Sequence, residues 1–232
     1  MTKLLSLLIL LSLLAGCSSQ KEIGKSQTDT TNQNSRESKA LKDEALNSFI
    51  NGSIAEAKGD YANSVIEYQD ALRIDPNAGI YFALAKDYLF LNKLPLALQN
   101  ANKSVELDSN KIDYYNLLSD IYITARQYDS AAVVLQKVIK LDSTDISSYY
   151  RLARIYEGNK PLQAIEIYNK ITGIIGPDWD VLTHVAELYS GLGEYKEAAS
   201  SIKSLLTIEP NNNGLKMILS EYYFKAKMYD NA

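Results

Sequence analysis

Five tyrosines, Tyr88, Tyr122, Tyr156, Tyr189 and Tyr223, follow one another at steps of 34, 34, 33 and 34 residues. A period of that length constrains the fold before local propensity does, because one supersecondary unit must recur and stack on its neighbours. Other side chains keep the same register. Three residues before each tyrosine stands a small side chain: Ala85, Ser119, Ala153, Ala186, Ser220. Four before stands an aliphatic: Leu84, Leu118, Leu152, Val185, Leu219. Seven before come Tyr81, Tyr115, Tyr149, Leu182 and, out of pattern, Lys216. Offsets of three, four and seven share one face of an α-helix, so each unit opens with an amphipathic helix.

A second lattice marks a second helix. Ser64, Ala97, Ala131, Ala164, Ala198 and Ala232 recur at the same interval, followed four and seven residues later by pairs such as Tyr68/Ala71, Leu135/Val138 and Tyr168/Ile171. Small side chains at fixed positions let two helices approach closely. Polar or glycine-containing turns separate the helices of a pair, as at Lys58-Gly59-Asp60-Tyr61 and Leu192-Gly193-Glu194-Tyr195. Between units, Ile74-Asp75-Pro76-Asn77 and Ile208-Glu209-Pro210-Asn211 place proline where a helix must stop.

The pattern Tyr115…Leu118-Ser119…Tyr122…Tyr128…Ala131…Leu135…Val138 resembles the tetratricopeptide repeat, and residues 45–232 carry it. The resemblance implies an all-α fold, a right-handed superhelical solenoid of helical hairpins. Complete units start near Ala45, Ala78, Ile112, Ile146 and Trp179, followed by the opening half of a sixth. The first unit is atypical, with Ser48 and Ala55 at aromatic positions, as a capping unit would be. The fourth is one residue short at Gly158-Asn159-Lys160-Pro161. Tyr229-Asp230-Asn231-Ala232 matches the start of a second helix, so the reading frame is expected to continue for at least one more helix, on the order of 12 residues.

The N-terminus carries a different signal. Residues 1–16 contain Lys3 and the apolar run Leu4–Leu14, too short to span a bilayer and patterned as a secretory signal. Leu14-Ala15-Gly16-Cys17 resembles a bacterial lipobox, which implies cleavage before Cys17 and a diacylglyceryl thioether with further acyl chains on that residue. Cys17 is the single cysteine, so no disulfide can form within a monomer, and lipidation accounts for an unpaired exported thiol. Ser18 rather than Asp at the next position favours the outer membrane of a two-membrane envelope. Residues 17–40 have one large aliphatic side chain, Ile23, and no aromatic, the composition of a disordered tether. As a coil it would span roughly 25 Å. The repeat domain then occupies 41–232. The precursor's net charge of −4 becomes −5 once Lys3 leaves with the signal, which disfavours nucleic acid and anionic lipid as partners.

No catalytic constellation is visible. His184 is the single histidine, which removes multi-histidine and His–Cys metal sites within one chain. Gly191-Leu192-Gly193 falls at an inter-helix turn and lacks the strand that a nucleotide fingerprint requires. The 17 tyrosines fall mostly on the repeat lattice and serve packing. The reading is a non-enzyme without cofactor or metal.

What remains is the surface formed by first helices of successive units, the concave groove in the family it resembles. Its candidate partner-binding residues are Phe49, Phe82, Lys86, Leu89, Phe90, Asn116, Asp120, Tyr150, Arg154 and Glu187. Family members that clamp a carboxylate terminus carry Lys and Asn at the first two groove slots. Here these hold Phe82/Lys86, Asn116/Asp120 and Tyr150/Arg154, so that clamp is missing. Lys86, Asp120, Arg154 and Glu187 share one slot and alternate in sign, which predicts a ladder of ion pairs or else a charged ligand site. The aromatic end around Phe82, Phe90 and Phe49 is the expected contact for a peptide or helix of another envelope protein. The functional expectation is a lipid-anchored envelope scaffold that binds a protein partner. Two alternatives stand beside it: a lipoprotein assisting assembly of pili, secretins or outer-membrane proteins, and the interaction part of a longer envelope enzyme.

Overall fold

The computed structural model describes residues 20–231, with side chains from Arg36 to Asp230. The lipobox, Cys17 and Ser18 lie outside the described residues. Among these, the chain forms α-helices joined by short turns and no strand. They are α1 (Gln20–Ala57), α2 (Tyr61–Ile74), α3 (Ala78–Phe90), α4 (Leu94–Leu107), α5 (Ile112–Thr124), α6 (Tyr128–Leu141), α7 (Ile146–Glu157), α8 (Pro161–Ile175), α9 (Trp179–Gly191), α10 (Tyr195–Ile208) and α11 (Asn213–Lys225), followed by a 3₁₀ turn at Tyr229–Asn231. Helices α3, α5, α7 and α9 begin at the residues where the tyrosine lattice opens its units. The chain divides into two compact units, one ending at Ile80 and one starting at Tyr81.

In the first unit, α1 and α2 form a hairpin around Ala45, Val65, Tyr68 and Ala71, all buried. Gly59 makes the turn at φ 76°, and the Asp60 carboxylate caps α2 by accepting from Asn63 N at 3.3 Å. The Tyr68 ring is 1% exposed and leans on Phe49 at 5.3 Å. Its hydroxyl donates to Glu56 Oε2 at 2.9 Å. Burial, with Glu56 adding to it, pushes this phenol up to about 12. Gly52 lies under the ring so closely that a Cβ there would stand 2.7 Å from two ring carbons.

Helix α1 also runs back to Gln20, through the stretch whose composition reads as a tether. Residues 36–44 of that extension are all exposed. The difference has a simple cause: once packing of Ala45 and Gly52 holds the C-terminal turns, each further turn adds hydrogen bonds without a new nucleation cost.

The second unit is built by nearest-neighbour packing. Ala132, Leu135, Leu152, Tyr156 and Ala164 form one cluster across α6, α7 and α8. Tyr149, Ala153, Ile165, Tyr168, Ile171, Val181 and Val185 form the next across α7, α8 and α9. Ala186, Ile202, Leu205 and Leu215 join α9, α10 and α11. The small-residue lattice closes these contacts, with Ala97, Ala131, Ala164 and Ala198 all 0% exposed. Of the lattice tyrosines, Tyr88 and Tyr156 are buried and Tyr122, Tyr189 and Tyr223 are half-buried. Helices α7, α9 and α11 take side-chain N-caps from Asp145, Asp178 and Asn212, and proline opens α8.

Turns within the pairs repeat a backbone feature. Asn92, Arg126, Gly193 and Lys227 each take a positive φ of 55–80°. The fourth turn does not. Gly158 caps α7 at φ −77°, and the Asn159 and Lys160 amides both return to Tyr156 O. The residue missing from the fourth period is the left-handed one.

Candidate functional site

Helix α7 is strongly two-sided. Tyr149, Leu152, Ala153 and Tyr156 are buried, which turns Arg151 and Arg154 away from the core and leaves Ile155 half-buried at its margin. These three residues, Ile123 of α5, Tyr128 at the start of α6, and Gly158 and Asn159 of the short turn line an open cavity of about 570 Å³. That volume suits a few side chains of a bound chain rather than a lone ion.

The charges around it are unequally committed. Arg151 Nη2 donates to Ser119 Oγ at 2.6 Å and pairs with Asp120. Lys160, beside the turn, pairs with Asp129 at 3.2 Å and lies over the Tyr156 ring at 5.1 Å. Arg154 is exposed, and among the described residues no carboxylate pairs with it.

The charge column therefore does not form the rungs expected of it. Asp120 takes Arg151, 31 residues on, and not Arg154, 34 residues on. Asp129 and Lys160, also 31 apart, join the starts of the second helices α6 and α8, where the register step is 33. Packed helices generally cross at an angle, so the residue of α7 that faces Asp120 need not be the one in repeat register, and here it stands three residues earlier. Asp120 gains little from its partner: desolvation raises its pKa, and Arg151 only partly opposes this. Its carboxylate is still about half accessible. Reversal of this charge, Asp120→Lys, should accordingly lower stability by about 1 kcal/mol or less. A thermal melt decides it. A loss several times larger would mean that the Arg151–Asp120 pair holds α5 and α7 together.

The other candidates disperse. Phe49 packs on Tyr68 in the first unit and borders a smaller cavity of about 170 Å³ with Lys42, Leu46 and Ile80. Phe82 is half-buried against Tyr114 at 5.0 Å. Lys86 and Leu89 are half-buried on α3, and Phe90 is 57% exposed. Asn116 is half-buried, with Oδ1 enclosed and without a hydrogen-bond partner. Tyr150 is committed inward: its hydroxyl donates to Asp178 Oδ1 at 3.2 Å, and its ring meets Tyr168 edge-on at 6.2 Å. Burial, then Asp178, raises its pKa. Glu187 is exposed on α9. Arg154 alone of the ten lines the larger cavity. Repeat register does not single out Arg151, Tyr128, Ile155, Gly158 or Asn159 as binding residues, yet all five line this cavity. The deletion in the fourth unit is the one sequence signal that falls on this site, at Gly158 and Asn159.

His184 belongs to a structural cluster. It stacks on Tyr168 with ring centroids 5.3 Å apart and planes 3° from parallel. Its Nδ1 lies 3.3 Å from Glu157 Oε1, which also accepts the Tyr168 hydroxyl at 2.5 Å. Burial first and Glu157 second hold that phenol far above the usual range. Tyr168 with Glu157 thus repeats Tyr68 with Glu56, a second-helix tyrosine reaching back to the end of the first helix. Among the described residues, no three His, Cys, Asp or Glu side chains gather as metal ligands.

Comparison with known proteins agrees with this architecture. The tetratricopeptide repeat family matches residues 52–77, 112–145 and 180–212. BBSome complex member BBS4 of Bos taurus is 26% identical over 166 residues, covering 71% of this chain and 32% of that protein. The chain thus spans about a third of that relative's length. A crystal structure of MamA is similar at 25% identity and a TM-score of 0.59, covering 70% of this chain and 96% of that one. YrrB, described as a TPR protein with an unusual peptide-binding site, is similar in fold at 14% identity and a TM-score of 0.61, over 81% of this chain and 95% of its own. Such a fold is typically a non-catalytic interaction scaffold. With a 33–34-residue lattice realised as packed helical hairpins and matched at three separate units, the chain carries tetratricopeptide repeats.

Proposed function

We propose that this protein is a lipid-anchored adaptor of a bacterial cell envelope that holds a protein partner on the first-helix face of its repeats. The observation that carries the binding half is the cavity beside α7, where an exposed arginine with no carboxylate partner among the described residues stands beside the apolar side chains Ile123, Tyr128 and Ile155. Exposed apolar surface joined to an unsatisfied charge is a typical recognition element. Affinity purification of the full chain from detergent-solubilised envelope, followed by titration of the recovered protein, tests it. A saturable, stoichiometric partner is expected, and none would overturn the reading.

The anchoring half rests on the sequence Leu14-Ala15-Gly16-Cys17 and on Ser18, which together support outer-membrane placement. Cys17→Ser should move the protein into the soluble fraction or leave its signal uncleaved. Normal processing with continued membrane attachment would contradict the lipid assignment. Either outcome is read by fractionation and mass spectrometry of the N-terminus.

A further inference from the structure

We infer that the cavity beside α7 receives an acidic side chain, flanked by an aliphatic one, from an extended partner segment. The inference rests on the adaptor reading above and adds the chemistry of its ligand. Three cationic groups stand in or beside the cavity, and two are already neutralised: Arg151 by Asp120 and Lys160 by Asp129. Arg154 is the remaining cation, exposed at the cavity wall and unmatched by a carboxylate among the described residues. One free guanidinium suits a singly charged carboxylate, which it can meet with two parallel N–H···O bonds.

The rest of the lining selects the neighbour. Ile123 and Ile155 offer aliphatic walls, and Tyr128, 47% exposed, offers an aromatic flank. Gly158 contributes no side chain where the turn borders the cavity, which leaves the volume open. Polyanions fit poorly. The whole chain carries a net charge of −4, and a single free cation cannot offset the repulsion of a phosphate backbone. A cationic or wholly apolar segment would leave Arg154 unsatisfied beneath it.

The test uses an array of random 12-residue peptides, with positional variants carrying Glu, Gln or phosphoserine, probed with the full chain and with its Arg154→Gln and Arg154→Lys variants. Binders should be enriched in Asp or Glu beside Leu, Ile or Val. Exchange of the decisive Glu for Gln should weaken binding about tenfold, as loss of a charge-assisted pair implies. Arg154→Gln should abolish that preference, Arg154→Lys should restore part of it, and neither should change the melting temperature, since the side chain is exposed. Acid preference surviving in Arg154→Gln overturns the inference. So do phosphoserine outperforming Glu, binders without acidic bias, and an absence of binders. Each of those results leaves the adaptor reading to its own experiment: a stoichiometric partner retained by Arg154→Gln would keep the adaptor and discard this site chemistry.

Discussion

Tyr168→Ala is expected to destabilise the protein by about 3–5 kcal/mol, the range for removing a fully buried aromatic from a core that cannot collapse around the void. Tyr168 is 0% exposed and touches three neighbours with defined geometry: His184 stacked on its face, Tyr150 at its edge and Glu157 at its hydroxyl. Its loss removes the centre of the cluster joining α7, α8 and α9. Stability in a repeat array is carried by contacts between neighbouring units, so the damage should be local first. Hydrogen exchange should speed up in α7–α9 before α5 and α6 respond. Tyr168→Phe separates ring from hydroxyl. It keeps the packing and should cost only about 1–2 kcal/mol for the bond to a carboxylate. Urea unfolding of both variants supplies the comparison, and a Phe variant as damaged as the Ala variant would show that the ring packing is secondary.

The second large effect is expected at Gly52, where general propensity predicts the opposite sign. An alanine in the middle of a helix normally stabilises by about 0.5–1 kcal/mol over glycine. Here the new Cβ would meet Tyr68 Cδ1 and Cε1 at 2.7 Å, and Tyr68, 1% exposed, has no free space to enter. Overpacking of this kind costs about 1–3 kcal/mol, so Gly52→Ala should lose stability on balance and Gly52→Val should lose more. A double variant supplies the check. In Gly52→Ala combined with Tyr68→Leu the two losses should be markedly less than additive, because the smaller side chain vacates the clash. Additive losses, or a Gly52→Ala protein more stable than the parent, would refute the close contact between α1 and the Tyr68 ring.

The repeat lattice was legible in the sequence because it encodes a local geometric fact: which side chains share a helix face. Ala97, Ala131, Ala164 and Ala198 could be placed at helix contacts from spacing alone, and they are fully covered. The ends of α2 and α10 at Ile74 and Ile208 could be read from Asp75-Pro76 and Glu209-Pro210. The charge column could not be read in the same way. Its pairing depends on the crossing angle between successive first helices, a tertiary quantity, and so Asp120 meets Arg151. Tyr150 looked like a groove residue by register, yet the distant Asp178 draws its hydroxyl inward. Gly52 falls on the small-residue column, three residues before Ala55, but spacing does not say why it is glycine rather than alanine; that reason is a ring sixteen residues away. Arg154 was identified as a groove candidate by register, but its lack of a carboxylate partner followed only from seeing where the acids of α5 and α6 are spent.

The short turn after α7 gives this a wider meaning. Periodicity is shared information: whatever repeats in every unit serves stacking and says nothing about which partner is chosen. Individuality must therefore reside in the departures. The fourth unit omits the left-handed residue its sister turns use, and Gly158 and Asn159, on either side of that omission, border the cavity. The family match falls on the first, third and fifth units and passes over the second as well as this one. Chains that share this deletion are therefore better candidates for a shared ligand than chains that share only the lattice.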